Sequence, residues 1–180
     1  ILEYFSKQTG GFENPKIVMI GGYALRAFTA FSRYTRDCDF VLKKFNGWNL
    51  DKIKKLLPKD LSIEAFEKRG NYGFLRCIKH LRVNGRRAKI AIDFMEGEVR
   101  GRTDEQIFFV TDKFLQKSNK TKIPIAGKDA EIFVPNYTDY LILKIMSARP
   151  SDVRDIATLV WKKGIPEDVE ERAEKTLAYP

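Results

Sequence analysis

The sequence predicts an α+β domain in which a small mixed or antiparallel sheet is flanked by helices and followed by a C-terminal helical segment. Strand-like runs dominate residues 1–134, whereas helical periodicity dominates residues 135–180. The length of 180 residues suits one domain with a small helical appendage. The dipeptide Asn84-Gly85, between two β-rich runs, is typical of a two-residue hairpin turn. We therefore expect a core over residues 1–134, with residues 135–180 packed on it.

The first part of the chain alternates short strands and helices. The predicted elements are a buried strand at residues 16–20, a helix at 23–31, a strand at 37–43, a helix at 50–57 and an edge strand at 61–66. Gly21-Gly22 separates the first strand from the first helix, and Pro58 stops the second helix. The chain up to residue 66 is therefore expected to supply both layers of the core.

The remaining elements follow from turn residues and from helical periodicity. They are a hairpin at 73–83 and 86–95, a short helix near 112–116, a small hairpin at 122–126 and 130–134, and helices at 137–148, 152–163 and 166–177. Pro150 and Gly164 mark the breaks between the last three helices, and Ser151 is the expected N-cap of the second.

Composition restricts the class of partner. The formal net charge is +9, which favours polyanions such as nucleic acid or nucleotides, although a solvated basic surface gives the same composition. The two cysteines, Cys38 and Cys77, lie in no metal-binding or disulfide pattern. No apolar run is long enough to span a bilayer, and the first residues lack the layout of a signal peptide. We expect a cytoplasmic protein with no membrane partner.

Two aspartates on one strand are the first candidate site. Alternation makes Cys38, Phe40 and Leu42 the buried face of their strand, so that Asp37 and Asp39 share the opposite face. Two neighbouring carboxylates repel each other and stay ionised together only when positive charge lies beside them. Hard carboxylate oxygens suit Mg²⁺, although a solvated strand face is the commoner explanation of such a pair.

The surrounding sequence strengthens the metal interpretation. Asp93 lies on the polar face of a later strand. Gly21-Gly22 follows a buried strand and opens a helix, where glycine lets the backbone approach a phosphate. A phosphate cradle beside three carboxylates is what a two-metal phosphoryl or nucleotidyl transfer requires.

These residues resemble the signature of the DNA polymerase β-like nucleotidyltransferase superfamily. The matching segments are Ile20-Gly21-Gly22, Asp37-Cys38-Asp39-Phe40 and Ile92-Asp93-Phe94. GGYAL followed by RYTRDCDF resembles the AbiEii-like branch, nucleotidyltransferase toxins of toxin–antitoxin and phage-defence systems, with Arg33 and Thr35 at its R-x-T positions. The resemblance implies a nucleotidyltransferase fold and Mg²⁺ ions held by Asp37, Asp39 and Asp93.

The C-terminal segment extends the resemblance. The stretch KIMSARPSDVRDIATL places Lys144, Arg149, Arg154 and Asp155 at the positions of a helical Lys and a later Arg-Asp pair. The resemblance implies that Lys144 lies near the nucleotide phosphates and that Asp155 supports it, with Gly21, Gly22, Arg33 and Thr35 also binding nucleotide. Read from the residues alone, Lys144 is an exposed helical lysine and Asp155 a polar helix face.

The resemblance also implies a reaction. A nucleoside monophosphate would pass from an NTP to a hydroxyl of RNA, such as a tRNA 3′ end, or of a protein, and a cognate antitoxin would be a partner. The spacer over residues 23–36 is longer than usual and the chain is short for the family, which leaves the acceptor open. Alternatives are transfer to a small molecule such as an antibiotic, and a non-catalytic binding module for RNA or protein on the same fold.

Overall fold

The protein was analysed as a computed structural model that describes residues 1–30, 35–103, 105–125 and 127–178, with Val83 and Ala178 described by their backbone only. The described strands are β1 Ile17–Ile20, β2 Asp37–Leu42, β3 Ser62–Arg69, β4 Tyr72–Val83, β5 Arg86–Glu96, β6 Glu98–Arg100, β7 Ile107–Phe109, β8 Asn119–Ile125, β9 Lys128–Val134 and β10 Leu177–Ala178. The described α-helices are α1 Leu2–Gln8, α2 Gly21–Ala24, α3 Asn49–Leu56, α4 Asp112–Lys117, α5 Tyr137–Ser147, α6 Pro150–Lys163 and α7 Val169–Thr176.

A mixed seven-stranded sheet organises the described part of the molecule, in the order β3-β4-β5-β2-β1-β9-β8. Two neighbouring pairs, β2 with β5 and β1 with β9, run parallel, and the other pairs are antiparallel. The predicted α+β class with a mixed sheet and flanking helices is therefore confirmed. The sheet is larger than the small one expected, because the two hairpins β4–β5 and β8–β9 extend it on either side.

The centre of the sheet is apolar. All four residues of β1 are buried, as expected of a strand that is covered on both faces. They belong to one core cluster with Phe40 of β2, Phe94 of β5 and Tyr140 of α5. The first part of the C-terminal segment therefore packs on the sheet, while the division of the chain at residue 134 stays a prediction.

The β4–β5 hairpin forms around Asn84-Gly85 as predicted. Asn84 and Gly85 have φ angles of 50° and 75°, the left-handed pair that a type I′ turn needs. Pairing continues without a bulge from Val83↔Arg86 to Gly73↔Glu96. At the far end Glu96 accepts the backbone N–H groups of Asn49 and Leu50, each at 2.8 Å, and so anchors the start of α3.

The predicted helix at residues 23–31 is shorter than expected. α2 ends at Ala24 and continues as a 3₁₀ turn over Leu25–Ala27. Phe28 still reaches the core side, where its ring stacks on Tyr140 with centroids 4.7 Å apart. The apolar periodicity therefore reflects one short packed face and does not require two full turns of α-helix.

Two further features differ from the predictions. A second sheet, in the order β10-β7-β6, pairs Leu177 of the C-terminal segment with Phe108, so that segment is not purely helical. Helix α6 begins at Pro150 with Arg149 as its N-cap, instead of the expected Ser151. The reason is that α5 ends in a left-handed residue, Ala148 (φ 45°), which reverses the chain at once. Among the described helices, none combines the length and apolar character needed to cross a membrane.

Candidate active site

A cavity of about 460 Å³ lies where β1, β2 and β5 meet the turn into α2 and the junction of α5 with α6. Seven of the nine predicted site residues line it: Gly21, Gly22, Thr35, Asp37, Asp39, Asp93 and Lys144. Asp155 does not line the cavity but accepts a hydrogen bond from Lys144. Arg33 lies outside the described residues. Segments more than a hundred residues apart in the sequence therefore converge on one cavity.

The strand order places the carboxylates side by side. β2 lies between β1 and β5, and Asp39 is the register partner of both Ile20 and Asp93. Because paired residues on neighbouring strands share a face, Asp39 and Asp93 point to the same side of the sheet. Asp37 lies two residues earlier on the same face and is exposed at the strand start, whereas Cys38 is buried on the other face.

The electrostatics of Asp39 differ from those of an ordinary surface aspartate. Burial and the neighbouring charge of Asp93 raise the pKa of Asp39 to about 6, against 3.8 for an isolated side chain. The positive charges of Arg149 and Lys144 act in the opposite direction and do not cancel the increase. Asp39 forms no side-chain hydrogen bond or ion pair within the described ranges. The cavity floor therefore carries negative charge that the described protein groups do not neutralise fully.

Asp93, by contrast, has a partner. The guanidinium of Arg76 donates to both of its carboxylate oxygens, Nε to Oδ1 at 2.8 Å and Nη2 to Oδ2 at 2.5 Å. Asp93 is 5% exposed, and a bidentate guanidinium is the arrangement that best compensates a buried carboxylate. Arg76 was not predicted as a site residue. The hairpin register contains the signal, because a turn at Asn84-Gly85 pairs β4 with β5 so that Arg76 lies opposite Asp93.

Gly21 is fixed between the carboxylates and α5. Its φ is 67°, and a Cβ there would lie 2.0 Å from Asp39 Oδ2, far closer than van der Waals contact allows. The Tyr140 hydroxyl donates to the Gly21 carbonyl oxygen at 2.8 Å. Only glycine can therefore bring the backbone this close to Asp39, while the approach of a phosphate to this turn stays a prediction.

Helices α5 and α6 contribute a buried ionic cluster. The Lys144 ammonium is 4% exposed and donates to Asp152 Oδ1 at 2.7 Å and to Asp155 Oδ2 at 2.8 Å. Burial alone would raise the pKa of Asp152, but the hydrogen bond and the charge of Lys144 outweigh burial, so that the pKa lies below its usual value. Asp152 also accepts the backbone N–H of Arg149 at 3.3 Å at the start of α6.

This cluster changes the interpretation of Lys144 drawn from the residues alone. The side chain is neither exposed nor snorkelling, and Asp152, which sequence reasoning missed, is one of its two partners. The pairing depends on the left-handed Ala148, which folds α6 back on α5. Periodicity does not indicate such a reversal, although Pro150 marks its position. Contact of Lys144 with nucleotide stays a prediction.

The loop before β2 supplies Thr35. Its hydroxyl lies 3.4 Å from the backbone N–H and 3.3 Å from the carbonyl oxygen of Asp37, and this contact fixes the start of the carboxylate strand. Arg149 lines the cavity opposite, at the α5–α6 junction. Together they place a hydroxyl and a guanidinium on the rim, both suited to oxygen-rich ligands.

The donor chemistry of the site fits a divalent cation in part. Asp37 and Asp39 offer hard oxygen ligands, and the raised pKa of Asp39 shows that positive charge there would be stabilising. In the described part of the chain, no three carboxylate, His or Cys groups already converge closely enough to hold a metal ion. Arg76 engages both Asp93 oxygens and therefore competes with a cation for them, although each oxygen keeps a second lone pair.

Comparisons with known proteins place this arrangement in a family. The family model "Nucleotidyl transferase AbiEii toxin, Type IV TA system" matches residues 10–179. No curated protein matches the chain. Among solved structures, JHP933 from Helicobacter pylori is similar with a TM-score of 0.47 and 14% identity, over 88% of this chain and 65% of that one. A structure described as a nucleotidyltransferase from the same organism gives the same TM-score and identity, over 88% of this chain and 67% of that one.

The family match covers nearly all of the chain, from before β1 to the end of β10. It includes each segment that lines the cavity: the Gly21-Gly22 turn, the two carboxylate strands and the α5–α6 junction. The chain belongs to the AbiEii family of nucleotidyltransferase toxins.

Proposed function

We propose that the protein transfers a nucleoside monophosphate from an NTP to a hydroxyl acceptor and releases pyrophosphate, in a Mg²⁺-dependent reaction. The observation that carries the proposal is the incompletely neutralised carboxylate Asp39, adjacent to Asp93 and in contact range of the Gly21 backbone, on the wall of a cavity of about 460 Å³. A nucleotide with its cation brings both the positive charge and the phosphates that such a wall accommodates.

Asp37, Asp39 and Asp93 are the residues that would hold the metal ions. When bound, Mg²⁺ at this position supplies charge for the phosphates and for the attacking and leaving oxygens. Asp93, held in place by Arg76, would in addition orient the acceptor hydroxyl. In the transfer, the acceptor oxygen bonds to the α-phosphorus, the bond from that phosphorus to the pyrophosphate oxygen breaks, and the hydroxyl proton leaves to a base or to water.

The phosphates would be held by groups that surround the carboxylates, on the Gly21-Gly22 turn, in the loop before β2 and on α5. The backbone N–H groups of Gly21 and Gly22 and the hydroxyl of Thr35 are the donors on the strand side, with Arg33 proposed for the same loop. Lys144 uses two of its three N–H donors on Asp152 and Asp155, which leaves one for a phosphate oxygen. Asp155 acts through Lys144, since it orients the ammonium and does not face the nucleotide.

We propose RNA, such as a tRNA 3′ end, as the acceptor, with a protein hydroxyl as the alternative. The net charge of +9 favours a polyanion. It disfavours the cationic antibiotics that related small-molecule transferases modify. Membership of a toxin family supports a role as the toxin of a toxin–antitoxin pair, with a cognate antitoxin as partner. The buried, unpaired thiols of Cys38 and Cys77 are consistent with a reducing compartment such as the cytoplasm.

The test is label transfer. The protein is incubated with Mg²⁺, total RNA and each of four α-³²P-labelled NTPs, and Asp39→Asn serves as the control. Label in RNA from the wild type alone supports RNA nucleotidyl transfer and names the nucleotide. Label in the protein fraction alone moves the acceptor to a protein hydroxyl. No label in either, together with no Mg²⁺-dependent NTP binding by calorimetry, would overturn the proposal.

A further inference from the structure

The β4–β5 hairpin extends beyond the rest of the sheet. β3 pairs with β4 only as far as Ile78, and β2 pairs with β5 only from Ala91 onward. Residues 79–90, here called the arm, therefore pair only with each other within the described residues. An isolated two-stranded ribbon adds little to a fold, so the arm is more than the sheet itself requires.

The arm is strongly basic. Its sequence, KHLRVNGRRAKI, contains five Lys or Arg residues and one His, and no Asp or Glu. Arg82, Arg86 and Arg87 are exposed. Arg36, which immediately precedes the first carboxylate of β2, lines a surface depression together with Arg86 and Arg87. Positive charge therefore extends from the arm tip back to the entrance of the candidate active site.

Part of this charge has no carboxylate partner among the residues that the structure describes. Lys79 contacts Asp60, and Lys89 contacts Glu64 at 2.5 Å. Arg82 and Arg87, in contrast, form no ion pair with any carboxylate in the described ranges, and they are register partners directly across the ribbon. Like charges opposite each other destabilise a strand pair. The arm thus carries an electrostatic cost that a bound anion would relieve.

The unpartnered pair faces the same way as the carboxylates. Side chains alternate along a strand, so Arg87, Lys89 and Asp93 lie on one face of β5, and the regular register puts Arg82 and His80 on that face too. At about 3.3 Å per residue, Arg87 lies roughly 20 Å along the strand from Asp93. A basic track therefore leads from the cavity out along the arm.

We propose that the arm binds the phosphodiester backbone of the acceptor RNA, with Arg82 and Arg87 as its principal contacts and Arg36 linking them to the active site. The inference rests on the proposed function in taking RNA as the acceptor. Guanidinium groups match phosphate geometry better than isolated ammonium groups do. The track runs toward Asp39, so a strand held along the arm directs its end into the cavity.

The test compares two double variants that each remove two exposed arginine charges. Arg82→Gln/Arg87→Gln removes the central pair of the arm, whereas the control Arg69→Gln/Arg102→Gln removes charge outside it. Fluorescence anisotropy measures the binding of a labelled single-stranded RNA of about 20 nucleotides to the full chain over a range of KCl concentrations. Thermal unfolding checks the fold, and calorimetry with ATP and Mg²⁺ checks the cavity independently of RNA.

The arm variant is expected to bind RNA roughly tenfold more weakly at low salt, with the slope of log K against log salt reduced by about 1.4, that is, two contacts at about 0.7 each. Its melting temperature should equal or exceed that of the wild type, and its ATP binding should not change. The control variant should keep most of the RNA affinity. A single-stranded DNA of the same sequence should show the same loss, since the contacts are to the backbone.

An arm variant with wild-type RNA affinity and salt slope would overturn the proposal. The proposal would also be overturned if the arm variant lost binding to a poly-glutamate peptide but kept its RNA binding. The arm would then be a docking site for an acidic protein. Anisotropy requires no turnover, so loss of RNA binding would support the arm even if label transfer failed. If the arm variant transferred label to RNA as fast as the wild type, the proposed transferase activity would stand and the proposed role of the arm would be rejected.

Discussion

The candidate active site contains two ionic clusters that are built in opposite ways. Helices α5 and α6 hold Lys144 between Asp152 and Asp155, with all three side chains buried and hydrogen-bonded. Strands β2 and β5 hold Asp39 next to Asp93, where only Asp93 has a bidentate partner and Asp39 has a raised pKa. In the helical cluster both carboxylates share the Lys144 ammonium, whereas Asp39 in the strand cluster has no ion-pair partner among the described residues.

The difference indicates that the helical cluster serves the structure of the cavity and the strand cluster its chemistry. A buried ion pair costs several kcal/mol of desolvation per ion, which only complete hydrogen bonding recovers, so the helical cluster fixes how α6 folds back on α5. An uncompensated carboxylate destabilises the free protein. Such groups are found at functional sites because a bound ligand compensates their charge. The strand cluster is therefore the part on which we expect ligand and metal to act.

The largest effect is expected from a mutation that removes the charge of Asp39 in the strand cluster. Asp39→Asn keeps the size of the side chain and removes its charge, so NMP transfer should fall by about 10³-fold or more. The measurement is the initial rate of label incorporation at saturating NTP. Asp129→Asn, an exposed aspartate outside the cavity, is the matched control and should retain activity. A rate within tenfold of wild type for Asp39→Asn would mean that Asp39 is not a metal ligand.

The next effect breaks the helical cluster. Lys144→Met leaves two buried carboxylates without their cation, and the free energy of unfolding should fall by about 3 kcal/mol. Urea denaturation followed by circular dichroism measures it. The triple variant Lys144→Met/Asp152→Asn/Asp155→Asn also removes the two unpaired carboxylate charges and should recover part of the lost free energy of unfolding. If Lys144→Met alone were as stable as wild type, the cluster would not determine the helix junction.

A smaller effect tests the same aspartate as the first, now for stability. An Asp whose folded-state pKa is about 6, against 3.8 unfolded, is protonated more readily in the folded state, so the ionised form costs folding free energy at higher pH. Without metal, Asp39→Asn should therefore be more stable than wild type by about 2 kcal/mol above pH 7. The gain should shrink as the pH falls below about 6 and disappear about one pH unit or more below 3.8, where Asp39 is protonated in both states.

Thermal melting across this pH range, in EDTA and then in Mg²⁺, checks the prediction. Added Mg²⁺ should raise the melting temperature of the wild type and leave Asp39→Asn nearly unchanged, because binding to the folded state alone stabilises it. Equal melting temperatures for the two proteins at pH 8 in EDTA would show that the strand cluster is already compensated.

The smallest expected effect concerns Arg76. Arg76→Gln frees both oxygens of Asp93, so Mg²⁺ affinity should rise by a few fold, measured by titration calorimetry in the absence of nucleotide. Loss of the bidentate pair should also lower stability by about 1–3 kcal/mol. Arg100→Gln, on the same cavity wall but not bonded to Asp93, provides the comparison. Unchanged Mg²⁺ affinity in Arg76→Gln would indicate that Asp93 does not ligate the metal.

Local features of the fold could be read from the sequence with little ambiguity. The apolar run of β1, the turn at Asn84-Gly85 and the alternation around Asp37 and Asp39 each involve residues close in sequence, where period and turn chemistry decide the outcome. Arg76 could also have been found, because the hairpin register follows from the turn. These elements supply most of the strand cluster.

Other features depend on contacts that no local pattern encodes. The pairing of Leu177 with Phe108 joins strands of two and three residues that lie about 70 positions apart, too short for a periodic signal. The partnership of Lys144 with Asp152 depends on the left-handed Ala148, a conformation that alanine rarely adopts. The order of the seven strands likewise follows from crossovers, which periodicity does not specify.

The contact between Gly21 and Asp39 has a genetic consequence. Any side chain at position 21 would meet the Asp39 carboxylate and would adopt an unfavourable φ, so a Gly21→Ala mutant needs a shorter residue at position 39 to relieve the clash. That second change removes the carboxylate on which the proposed reaction depends. A selection for revertants of Gly21→Ala should therefore yield true reversion to glycine, and intragenic suppressors at position 39 should restore the fold without restoring the proposed nucleotidyl transfer.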